Sequence, residues 1–326
     1  MRNHDKYEPK EMTPLERMRD QAKFWAYSGR DIMSQRRENR YAISKECLDK
    51  ALALYRRIAQ EYPSVRSQMD IYDTLRISLD LYFRINTREA MQEAKTSMEE
   101  ALQIIHGCVK AGPNNAELVG KQIDTLQYLG GICRDLGGRK NLLLARKYFE
   151  QSIHVCDKHF TDRFSFVQYD QMAHGLEQFA MTNTALYGAE AAATAQKCLT
   201  TALELRIKGF RKNFSTSGMA LANAYTWLGD ACRDLGGNSD LKSAARYYKM
   251  AHQIWIFVRS KHESIYYATL HIGVLYRMAM LSITPKEMAR QYLTQAIEIA
   301  KTIAPVKGYE QWKGYVQLLQ QFHDRI

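Results

Sequence analysis

The 326-residue sequence contains no apolar run approaching the roughly 20 residues that a bilayer-crossing helix needs. Its opening, MRNHDKYEPKEMTPLERMRD, is too polar for a secretory leader. No stretch alternates apolar and polar residues over a useful length, so there is no sign of a sheet. The six cysteines, Cys47, Cys108, Cys133, Cys156, Cys198 and Cys232, form no CxxC pair. Cys47, Cys133, Cys198 and Cys232 fall beside or within the apolar pattern and read as buried free thiols. Free thiols favour a reducing compartment, and with the missing leader and missing span they predict a cytoplasmic protein.

Signals for chemistry are equally sparse. Neither GGRKN nor GGNSD is followed by GK[ST], and no strand precedes either, so a phosphate loop is excluded. The glycine pairs Gly137-Gly138 and Gly236-Gly237 read instead as helix C-caps, with Asn141 and Asp240 as the N-caps that follow. No nucleophile elbow surrounds a serine. His154, Cys156 and His159 lie close in sequence, but His154 and Cys156 point in different directions on a helix and a fourth ligand is lacking. The expectation is a non-enzyme with no metal and no cofactor.

What is present is a repeat. LGGICRDLGGRKNLLLARKYFEQSI, from Leu129, aligns without a gap to LGDACRDLGGNSDLKSAARYYKMAHQI, from Leu228, at an offset of 99 residues. That is twice a period of 44 to 52 residues that runs through the chain six times. One half of each unit carries a small residue, a large apolar residue four on, and another small residue three further. The copies are Ser44, Leu48, Ala51; Ala94, Met98, Ala101; Ala145, Phe149, Ser152; Ala195, Leu199, Ala202; Ala244, Tyr248, Ala251; and Ala289, Leu293, Ala296. These spacings keep all three on one helical face, where small residues admit a neighbouring helix. The other half is marked by Ser28, Ser78, Gly130, Ala180, Gly229 and Gly273, mostly preceded by a bulky residue. Glycine inside a helix costs about 1 kcal/mol against alanine, so close helix contact is the expected reason for it.

The motif resembles the tetratricopeptide repeat (TPR), carried on helix A by Leu126, Leu129, Gly130 and Cys133, and by Tyr225, Leu228, Gly229 and Cys232. The resemblance spans about residues 14–303. The period near 50 is longer than the usual 34, and repeat-end proline is mostly absent, Pro63 and Pro113 being candidates. The fold it implies is all-α: a right-handed superhelix of six helical hairpins over residues 13–308. A loose polar segment (1–12) precedes them, and a capping amphipathic helix lies within 309–326.

In such repeats helix A lines the concave face. By that carry-over Arg134, Arg233 and Arg277 form a basic line along a groove, with Gln127, Asp230 and Thr226 one turn earlier. Tyr72, Tyr82, His174 and Tyr267 fall at other groove-side positions. The competing reading is that each arginine pairs with a nearby acid and pins adjacent repeats. Arg206, Lys208, Arg211 and Lys212 form the densest basic cluster. They lie at the end of a helix, where cations offset its dipole, and otherwise suit an anionic partner.

With a net charge of +11 and 20 tyrosines, the residue types suit interfaces. The expected function is a static scaffold that holds an acidic peptide or protein segment in its groove, with no membrane association. Nucleic-acid binding is the first alternative, but the charge is not concentrated and no base-reading motif is present. A peptide-sensing regulator is the second. Bacterial receptors of that kind resemble this repeat region but carry an N-terminal output domain, for which a repeat beginning near residue 14 leaves no room.

Overall fold

The structure is a computed structural model, and it describes residues 12–160, 165–212, 214–262, 264–306 and 308–326. Among these residues there is no strand. Six consecutive helix–turn–helix pairs run α1 (Pro14–Ser34) and α2 (Arg40–Glu61), α3 (Val65–Ile85) and α4 (Arg88–Ala111), α5 (Ala116–Leu136) and α6 (Arg139–His159), α7 (Phe166–Tyr187) and α8 (Ala192–Lys212), α9 (Phe214–Leu235) and α10 (Asn238–Lys261), and α11 (Ile265–Met280) and α12 (Lys286–Ile303). A thirteenth helix, α13 (Trp312–Arg325), closes the sequence. The odd-numbered helices through α11 are the A helices of the repeat and the even-numbered ones the B helices.

Local chemistry sets most boundaries. At α1, Thr13 accepts from the Glu16 amide while the Glu16 carboxylate accepts from Thr13 N–H, a complete capping box with Pro14 behind it. Ser64 forms the same box with Ser67 at α3, and the Asn115 side chain caps α5 by accepting from the Glu117 and Leu118 amides. The paired glycines Gly137 and Gly138 both take positive φ (69° and 79°), as does Gly236 (75°), and each ends an A helix. The helices after these turns begin earlier than expected, at Arg139 and Asn238. Asn141 and Asp240 therefore lie inside the first turn, and the Asn141 side-chain amide donates to the Gly137 carbonyl.

Residues 1–141 and 142–326 form two compact units. In the first, each helix packs on the next from α1 to α5, and α1 also reaches α3. In the second, the same succession runs from α7 to α13. α6 straddles the division, and its core residues Ala145, Phe149, Ser152 and Cys156 belong to the second unit. The fold is helical-repeat, with cores built hairpin by hairpin.

All eighteen small–large–small residues of the B-helix pattern are buried. Leu48, Met98, Phe149, Leu199, Tyr248 and Leu293 fill the gaps between helices. Gly229 is a true close-approach position, since a Cβ there would stand 2.5 Å from Tyr248 Cε1. In the first hairpin that role belongs to Gly29, one residue beyond Ser28. A Cβ on Gly29 would stand 2.9 Å from Leu48 Cγ, and the Ser44 hydroxyl donates to the Gly29 carbonyl at 2.6 Å. Gly273 departs from the pattern, because a Cβ there meets only the Nη1 of Arg277 on its own helix, at 3.3 Å.

The cysteines are all free, five buried and Cys198 half-buried. Burial pushes the thiols of Cys47, Cys108, Cys133, Cys198 and Cys232 up. No described helix is long and apolar enough to cross a membrane. The final helix begins at Trp312 rather than near Tyr309, and packs Trp312, Val316 and Leu319 against α11 and α12. The predicted N-terminal segment, 1–12, lies outside the described residues except for Met12.

Candidate interaction site

Three of the residues expected to line a groove, Asp230, Arg233 and Arg277, meet in the second unit around one carboxylate. Asp230, on α9, accepts from Tyr248 Oη at 2.7 Å, from Arg233 Nη1 at 3.1 Å and from Arg277 Nε at 2.8 Å, all on Oδ1. Arg277 Nε also lies 3.0 Å from Oδ2. Arg233 sits one turn along the same helix and donates two further bonds to Asp234 Oδ1, at 3.0 and 2.8 Å. Arg277 comes from α11, so its bond to Asp230 joins neighbouring A helices, and its Nη1 also reaches the Gly273 carbonyl. Burial and the Asp230 charge hold the Tyr248 hydroxyl far above its ordinary range, so it stays a donor.

These groups rim a cavity of about 380 Å³. Apart from Thr184, whose hydroxyl donates to the Ala180 carbonyl, its other walls are apolar: Ala180, Met181 and Ala185 from α7, Leu199 from α8 and Trp227 from α9. Both arginines remain reachable, Arg233 with 42% of its side chain exposed and Arg277 with 35%. The site therefore combines an apolar recess with two guanidinium groups, each already bonded to aspartate.

The remaining residues of the expected groove lie elsewhere. Tyr72 is 2% exposed and bonds through its hydroxyl to the Lys121 carbonyl and Thr125 Oγ1, pinning α3 to α5. Burial raises its hydroxyl to about 12. Tyr82 is also buried, under the Lys45 ammonium. Gln127 is buried on α5, and Thr226 on α9 returns its hydroxyl to the Ala222 carbonyl. Arg134 is 3.8 Å from Asp135 on its own helix. His174 is half-buried on α7, and Tyr267 packs its ring 6.0 Å from Trp255.

The expected basic cluster is not a surface patch at Arg206. That side chain turns inward and is 6% exposed. Its Nε and Nη2 make a bidentate pair with Glu177, at 2.9 and 2.7 Å, and its Nη1 pairs with Asp170, both acids on α7. Glu177 is fully buried, which pushes its carboxyl up, while the two acids hold the arginine firmly charged. Lys208 is exposed, and the side chains of Arg211 and Lys212 lie outside the described residues. One signal for this pairing was in the sequence: α7 carries Asp170 and Glu177 but no lysine or arginine. Among the described residues no cluster of three or more His, Cys, Asp or Glu is placed to hold a metal ion.

No protein-family model matches the chain, and no curated protein sequence matches it. Solved structures do match, over nearly the whole length. The S. pombe nuclear import adaptor Nro1 has TM-score 0.55 at 12% identity, covering 93% of this chain and 99% of that one. BtubC from P. vanneervenii has TM-score 0.57 at 14% identity, covering 90% and 94%. The apo form of RapI has TM-score 0.54 at 13% identity, covering 93% and 95%. At these identities the likeness is one of fold, and that fold is the TPR-like helical-hairpin repeat.

Proposed function

We propose that the protein is a non-catalytic interaction scaffold whose second unit receives a carboxylate-bearing peptide segment beside α7, α9 and α11. The observation that carries this reading is the apolar recess of Met181, Leu199 and Trp227 rimmed by Arg233 and Arg277. An apolar side chain entering the recess gains about 1.5–3 kcal/mol on full burial. A carboxylate reaching a guanidinium makes a charge-assisted bond that competes with the aspartate already there, so it orients the segment more than it adds affinity. Asp230 and Asp234 hold both guanidiniums in place before a ligand arrives, so little ordering cost falls on the protein. That Nro1, a protein of the same fold, is a nuclear import adaptor supports a scaffold. Nucleic acid is the weaker reading, because the two arginines face two aspartates and leave the rim near neutrality.

The test is selection of short random peptides on the purified chain, followed by titration of those enriched. Asp, Glu or a free C-terminus should recur among them. Affinity should fall at least tenfold, about 1.4 kcal/mol, in Arg233→Ala and in Ala185→Trp, which fills the recess from an exposed position. Melting temperature should stay near that of the parent. Peptides indifferent to both changes would overturn the reading, as would binding to RNA or DNA that falls steeply with salt.

A further inference from the structure

The connection between the A and B helices holds only polar or small residues in the first five hairpins: QRREN at 35–39, Asn86-Thr87, Gly137-Gly138, Gly188-Ala189-Glu190-Ala191 and Gly236-Gly237. In the sixth it is Leu281-Ser282-Ile283-Thr284-Pro285. Leu281 folds under, but Ile283 remains 39% exposed, and Met288, in the first turn of α12, is 43% exposed. Together with Met278, Leu281 and Tyr292 they line a groove of about 310 Å³ between the B helices α10 and α12. The α10 wall supplies Arg246 and Lys249, and no acidic residue lines the groove. Neither cation makes an ion pair with a carboxylate among the described residues; Arg246 instead lies 5.4 Å from the Tyr247 ring centroid. This contrasts with the recess rimmed by Arg233 and Arg277, with which it shares no lining residue.

We infer that this groove is a second docking surface, on the B-helix side of the last hairpin, for a partner segment that presents apolar side chains flanked by Asp or Glu. Uncompensated cations beside exposed aliphatic and thioether side chains select that chemistry. The apolar walls supply burial, and the cations supply orientation and repel basic sequences. Met288, unbranched and polarizable, can adapt to different apolar partners, while the β-branched Ile283 offers a fixed apolar edge beside it. The inference does not depend on the first recess being a ligand site.

A fluorescence titration of the full chain with a labelled synthetic peptide that alternates leucine with aspartate and glutamate tests it. Saturable binding is expected. It should fall at least tenfold in the double variant Arg246→Glu/Lys249→Glu and in Met288→Asp, and when serine replaces the peptide's leucines. A lysine-for-acid peptide should bind the double variant and not the parent. In a chain that also carries Ala185→Trp and Arg233→Ala, which block the recess on α7, α9 and α11, the same saturable binding and the same losses should be seen, which separates the two sites. Circular dichroism and melting check that each variant folds. The inference is overturned if the acidic peptide fails to saturate the parent chain, or if binding survives the charge reversal. It is also overturned if sedimentation shows a self-associating parent and a monomeric Met288→Asp, since the groove would then belong to a second copy.

Discussion

In the first unit, polar contacts recur about one repeat apart, and all but the buried Tyr72–Thr125 bond reach the surface. Arg19 meets Asp70, Lys45 meets Glu93, Arg56 meets Glu100, Lys121 meets Asp73, and Tyr72 meets Thr125. Each ties a helix to its counterpart in the next hairpin, A to A or B to B. In the second unit the polar groups gather in fewer, denser places, two of them buried. Arg206 is enclosed with Glu177, Asp230 collects three donors, and His271 is buried between His252, at 2.8 Å, and Arg259, at 3.2 Å. Many exposed pins, each worth little, give a structure that tolerates the loss of any one. Buried clusters make the second unit depend on single residues.

The sharpest break of that comparison is Arg206→Ala. It leaves Glu177 buried without its partner and should cost about 3–5 kcal/mol in chemical denaturation. Replacing both residues by apolar ones of similar size, Arg206→Met with Glu177→Leu, should recover much of the loss. If Arg206→Ala melts like the parent, the pair is not enclosed as described.

Close packing gives the next largest effect. Gly229→Leu drives a side chain into Tyr248 and should cost about 1–3 kcal/mol or more. Its first-unit counterpart, Gly29→Leu, meets Leu48 and should cost a similar amount, since helix approach is shared by the two units even where polar chemistry is not. Parent-like melting of either variant would remove that glycine from the contact.

Acid should act on the second unit through His271. Burial, with His252 and Arg259 beside it, lowers its folded-state value to about 3, against about 6.5 when unfolded. Between those limits the unfolded chain binds the extra proton, so stability falls as pH drops below about 6.5 and continues to fall toward 3. The slope is up to about 1.4 kcal/mol per pH unit for this group. His271→Gln should flatten the profile; an unchanged slope would show that other groups govern it.

The smallest effect belongs to the first unit's pins. Arg56→Ala removes a bidentate but exposed pair with Glu100 and should cost about 0–1 kcal/mol, less at high salt. A loss matching that of Arg206→Ala would erase the distinction between the units.

The repeat was legible because packing writes itself into sequence at fixed spacing. Ala–Leu–Ala at four and three must share a helical face, and every such position is buried. The turns were legible where a glycine takes positive φ or a serine, threonine or asparagine caps a helix. The direction of the polar side chains was not. Tyr72 and Tyr82 sit on A helices as the repeat predicts, but their neighbours turn them into the core. The acids that hold Arg206 lie 29 and 36 residues earlier in the chain, a relation the period does not encode. Arg233 and Arg277 were found because the repeat marks equivalent sites, yet their joint bonding to Asp230 depends on side-chain reach across two helices.

Asp230 gives the recess an internal rival. Any carboxylate that arrives at Arg277 finds another already bonded there, at 2.8 Å, and must share the guanidinium or displace its occupant. Exchange of one anion for another gains only the difference between two similar bonds. The charged rim is then suited to selecting and orienting a segment, while the time it stays bound is set by what its apolar side chain finds among Met181, Leu199 and Trp227. Such a surface takes up and releases partners readily, and Asp230→Asn, by weakening the rival, should lengthen residence rather than shorten it.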